Sequence, residues 1–176
     1  GIYCCSLLLA EEKEKKTLRA LMTSSVSALE FFIGSIVPVF FFTALINVLL
    51  VFVSGLTLNF IQWIWFMVMT ILGTLTSCIL GMLLGIFAKD QVSTSTITTP
   101  FILTLMLVPM FSTIIESFKT VSQFIFTGAI MDMVSHIAVS STADVSISGV
   151  LVMILEMILA LFLFIFFYQR NGYEKD

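Results

Sequence analysis

Glu11 to Gly34 reads EEKEKKTLRALMTSSVSALEFFIG, and four of the chain's eight basic residues stand in it, at Lys13, Lys15, Lys16 and Arg19. Leu18, Leu21, Met22, Ser25, Val26 and Leu29 keep the i, i+3, i+4 spacing of one helix face. Lys15, Lys16, Arg19 and Thr23 occupy much of the other face. Glu11 and Glu12 precede Lys15 and Lys16 by one helical turn, the favourable order for ion pairs. The spacing predicts a water-exposed amphipathic helix joined directly to a membrane domain. Ser27 and Glu30 then stand at capping-box spacing, with Val26 and Phe31 at the two staple positions. The exposed helix should therefore break near Thr23 to Val26, and a new one should begin at Ala28.

Outward from this stretch the chain turns apolar. Of 176 residues 59% are hydrophobic and 11% charged, against about 25% charged in soluble domains. That excludes an ordinary soluble fold. A net charge of −3 gives no case for nucleic-acid binding. Cys4, Cys5 and Cys78 form neither a C-x-x-C pair nor an even set, so no disulfide framework and no zinc site is expected. Gly1 to Ala10 is apolar but too short to span a bilayer, and it lacks the basic start and cleavage site of a signal peptide. It reads as the tail of an earlier membrane helix, residues 1–10, in a fragment of a longer protein.

The pattern predicts an all-α integral membrane protein with four full spans. The first, residues 28–53, contains Pro38, which membrane helices tolerate with a kink. Its one amide, Asn47, suits an interhelical hydrogen bond before a transport role. The second, 63–88, opens on Trp63 and Trp65 at interfacial depth and carries Gly73, Ser77, Gly81 and Gly85 at strict four-residue spacing. Such a stripe lets two backbones approach closely; a helix of the same chain is the first partner to consider, a dimer seam the second. The third span, 95–115, starts at Ser95 or at Pro100 after the polar run QVSTSTITT and holds Pro109. Kinked helices of this kind often line cavities in transporters; a plain bend is the other reading, and both stay open. The last span, 149–168, contains Glu156, a carboxylate that must face protein or water and find a partner. A structural hydrogen bond and a transport role are both open for it.

Residues 116–148 form the longest connection. Val121 to Val134 is apolar yet too short to cross, and SHIAVSSTADVSIS is polar. This reads as an outer re-entrant or interfacial segment with short helices. Asp132 and His136 lie at i and i+4, a two-ligand spacing without a third candidate, so no metal site is assigned. If residues 11–27 are cytoplasmic, four crossings also place Lys89, Arg170 and Lys175 inside, leaving Lys119 alone outside. The positive-inside rule favours that orientation.

The helix tail followed by E-E-K-E-K-K-T-L-R-A-L-M-T-S-S-V-S and a long span with Gly34 resembles the permease of an ABC-2 type transporter. L-x-G-x-x-x-G-I-F-A-K-D-Q at Leu80 to Gln91, with Pro100 beyond, is similar to the same family. The resemblance implies that residues 11–27 form a cytoplasmic coupling helix gripped by an ABC ATP-binding subunit. Thr17, Leu18, Leu21 and Met22 would form its docking face, and Lys15, Lys16 and Arg19 its polar contacts. The four spans would be the third to sixth of the permease, in a bacterial cell membrane with the C-terminus cytoplasmic. A second permease copy or related half, and membrane lipid, are the other implied partners, and export the implied direction. No G-x-x-x-x-G-K-[ST] loop is present, so ATP and Mg belong to the partner subunit and this chain is expected to bind no cofactor.

Other functions weigh against this reading. A basic surface helix that only fixes topology would carry the same charges. Glu11-Glu12 could suggest an intramembrane hydrolase, but His136, the one histidine, falls outside the spans, and no catalytic constellation appears. A membrane scaffold or immunity protein without transport activity is the remaining alternative.

Overall fold

The computed structural model describes residues 1–14, 28–55, 58–139 and 147–170. Every regular element among the described residues is a helix: α1 (Ile2–Glu14), α2 (Ala28–Ser54), α3 (Phe60–Phe87), α4 (Gln91–Phe111), α5 (Glu116–Ser122), α6 (Phe126–Val139) and α7 (Ile147–Arg170). Four of these, α2, α3, α4 and α7, are long and apolar enough to cross a membrane. The break expected near Thr23 to Val26 and the Ser27–Glu30 cap lie outside the described residues.

Four boundaries differ from the sequence reading by three residues or more, each for a local reason. No helix end separates residues 1–10 from the charged segment; α1 continues through Glu14. Glutamate and lysine are good helix formers, and Lys13 in the last turn suits the negative end of the helix dipole. The second span starts at Phe60, before Trp63, because Asn59 caps it. The Asn59 N–H donates to Gln62 Oε1 at 2.8 Å, and the Asn59 carbonyl accepts from Trp63 N–H at 2.9 Å. This is the return half of a capping box, with glutamine at the third helical position.

The third span starts at Gln91, not Ser95 or Pro100. Asp90 is its N-cap, its Oδ1 accepting the Ser93 N–H at 2.7 Å. Thr94 and Thr98 Oγ1 donate to the carbonyls of Asp90 and Thr94 one turn back, at 3.0 and 2.8 Å. With their hydroxyls thus satisfied, both threonines are fully buried. The run QVSTSTITT is therefore helix. At the far end α4 stops at Phe111, short of Ile115, where Ser112 and Thr113 hydroxyls donate to the Pro109 and Met110 carbonyls.

The residues group into two compact units. The first comprises Gly1–Phe42, Ser77–Ile102 and Ile158–Asp176; its interior holds Cys5, Leu9 and Ala10 of α1 with Cys78 and Met82 of α3. The second comprises Thr43–Thr76 and Leu103–Met157, with Met69, Phe126, Met133 and Met153 inside. Its connection between α4 and α7 is a bent pair, α5 and α6 meeting at 107°, a form shared by broken spans and re-entrant segments. More than half of the best apolar window of α3 is buried (56%), against 17% in α2 and α7 and 22% in α4. α3 is thus the span with protein on most sides, and α2 presents Phe41, Phe42, Phe52 and Val53 outward, as a lipid-facing helix does.

Candidate functional site

Within the first unit the stripe on α3 meets α1. A side chain at Gly81 would run into the Ile2 carbonyl oxygen, and its Cβ would stand 2.9 Å from Cys5 Cβ. At Gly85 the Cβ would lie 3.0 Å from the Ser6 carbonyl oxygen and 3.1 Å from Leu9 Cβ. Ser77, half-buried, lies against Gly1. Backbone thus packs on backbone over two turns, as small residues permit. Gly73 belongs to the second unit, where its face meets Ile130 and Met153.

This close approach carries the charged end of α1 to the C-terminus of α3. Lys13 Nζ donates to the carbonyls of Gly85 and Ala88 at 3.0 Å each, and to that of Ile86 between them. The last carbonyls of a helix have no partner within it and form the negative end of its dipole. An ammonium with three donors matches them. Burial pulls the Lys13 ammonium down to about 8, still charged at neutral pH. One residue on, Glu14 Oε2 accepts the Gln91 N–H at 3.3 Å, at the first residue of α4. Tyr3 Oη and Ser95 Oγ add a contact at 3.1 Å. Asp90 in the same turn has its carboxyl held below its usual range by the backbone N–H of Ser93.

The charged end of α1 and the A-K-D-Q turn are therefore one physical junction. Sequence reasoning gives Lys13 no role beyond its charge and Glu14 none at all, since their partners stand 72 to 77 residues away. The available signal is a lysine in the last turn before the amphipathic stretch.

The other expected site residues fall elsewhere. Lys15, Lys16, Thr17, Leu18, Arg19, Leu21 and Met22 lie outside the described residues. Asn47 is half-exposed on α2. Glu156, in the second unit, accepts the backbone N–H of Phe126 on Oε2 at 2.6 Å. That N–H is one of the unpaired donors at the start of α6, so the carboxylate ties the bent segment to the last span. Thr127 Oγ1 adds a bond to the Leu105 carbonyl at 2.8 Å. Among the described residues no three His, Cys, Asp or Glu side chains gather as a metal site.

A family model described as ABC-2 family transporter protein matches residues 2–168. The chain belongs to that family. It is a multi-pass membrane protein and the permease of an ABC transporter, and the family implies partnership with an ABC ATP-binding subunit. ABC-2 permeases are typically membrane subunits without enzymatic activity of their own. No curated protein and no solved structure matches the chain.

Proposed function

We propose that residues 11–27 of this ABC-2 permease are the cytoplasmic coupling segment, and that the Lys13 junction passes its displacement to α3 and α4. The observation that carries this is the three-carbonyl grip of Lys13 on the end of α3, with Glu14 on the first amide of α4. A lever needs a stiff connection to what it moves. Here the helix entering the charged segment is fastened at its last turn to the turn between two spans. ATP-driven closure of the partner subunit would bind one position of the segment better than the other and so shift the membrane helices.

Thr17, Leu18, Leu21 and Met22 form the apolar docking face of the lever, flanked by Lys15, Lys16 and Arg19. ATP and Mg are held by the partner subunit, and a second permease copy or related half completes the pathway. The basic residues place this segment and the C-terminus in the cytoplasm, and the direction of transport is export. Co-purification with the ATP-binding subunit tests the reading. Leu18→Asp and Leu21→Asp should abolish association while the permease still reaches the membrane. Undiminished association in both variants contradicts it.

A further inference from the structure

We propose that the second unit carries a binding site for a small lipophilic ammonium compound, in the cavity between the bent α5–α6 segment and helices α3 and α7. The cavity has a volume of about 320 Å³, at the lower end of the range that holds small organic ligands. Its apolar wall comprises Met69, Phe124, Ala129, Met133 and Val152. Two methionines make that wall adaptable, and Phe124 adds an aromatic ring of the kind that attracts cations. The polar side is formed by Gln123, Asp132, His136 and Ser148.

Asp132 decides the sign of the ligand. Its carboxylate has no ion pair and no side-chain hydrogen bond among the described residues; only its backbone carbonyl is engaged, by Ser135 Oγ. The other charged side chains described in this unit are Glu116, Lys119 and Glu156, and Glu156 is committed to Phe126. The described charges nearest the cavity are therefore mainly acidic, and the carboxylate shares the lining with apolar side chains. An anion would meet Asp132 unfavourably, and a neutral apolar molecule would leave it without a partner. A primary ammonium on a short apolar body satisfies both sides. This site belongs to the second unit and the Lys13 junction to the first, and its occupancy does not depend on the lever.

The test is direct binding to the intact permease in lipid nanodiscs, without the ATP-binding subunit. 4-Phenylbutylammonium is the probe, with 4-phenylbutanol and 4-phenylbutyrate as shape-matched controls. The ammonium should bind at least tenfold more tightly than either control. Asp132→Asn and Asp132→Lys, at an exposed position, should remove that preference, and Glu116→Gln should leave it unchanged. Equal affinity for ammonium and alcohol, or a preference that survives Asp132→Asn, overturns the proposal. So does tight zinc binding lost in both Asp132→Asn and His136→Gln with no ammonium binding, which would make the pair a metal site.

Discussion

Replacing Lys13 with methionine keeps the apolar stem of the side chain and removes the ammonium, leaving the carbonyls of Gly85, Ile86 and Ala88 without it. A hydrogen bond to a charged group contributes about 1.5–3 kcal/mol when removed from water. Lys13 is only about half buried, and water can replace part of what is lost. The three bonds act as one unit, so they are not summed. The expected weakening of the junction is about 1–2 kcal/mol, a factor of roughly 5–30 in the docked-to-undocked ratio. Amide hydrogen exchange reads this where it occurs. The Gln91 amide, held by Glu14, and the last-turn amides of α1 should exchange faster by that factor in K13M. Amides of α6 serve as the internal reference and should not change. With the ATP-binding subunit present, K13M should keep association yet lower transport per ATP hydrolysed. Unaltered exchange at Gln91 in K13M would refute the reasoning, since the turn would then be held by something other than this lysine.

Three further outcomes follow from the same geometry. Burial lowers Lys13 from its ordinary 10.5 to about 8, so between those values the unfolded chain holds more protons than the folded one. Lys13's pH-linked contribution is then fully present above 10.5 and lost as pH falls through about 8; the melting-temperature gap between wild type and K13M should widen from pH 8 to pH 10. Gly81→Leu must displace α1 backbone and should cost about 2–3 kcal/mol in detergent unfolding, whereas Gly34→Ala, with nothing within 4 Å of its Cβ, should be neutral or stabilising by up to about 1 kcal/mol. Glu156→Ala leaves the Phe126 N–H unpaired and should lower stability by about 1–2 kcal/mol, with faster exchange at the start of α6; Glu156→Gln, which keeps an acceptor, should lose less.

Much of this was legible in the residues because the lipid phase simplifies the problem. Long apolar runs mark the four spans, and the short run after Glu116 forms two short helices with a sharp bend between them. Polar residues mislead more. QVSTSTITT reads as an entrance loop, since serine and threonine compete with helix hydrogen bonds. Inside the first unit the threonine hydroxyls instead bond the preceding turn and go under cover. Asn59 and Gln62 hold an N-cap signal easily missed beside two tryptophans. The junction itself could not be seen: Lys13 and the A-K-D-Q turn are each visible as motifs, but their meeting depends on α1 lying along Gly81 and Gly85. The stripe says that some backbone approaches and does not name which. Glu156 calls for a partner, and the sequence does not say that the partner is a helix start 30 residues earlier.

The lever account rests on which face of the membrane the charged segment occupies and what touches it there. A photo-reactive residue at Leu18, activated in membranes that contain both subunits, measures this in one step. The account predicts an adduct with the ATP-binding subunit that Leu21→Asp abolishes. No adduct at Leu18, together with labelling of Lys16→Cys but not Lys119→Cys by an impermeant reagent added outside intact cells, would contradict it.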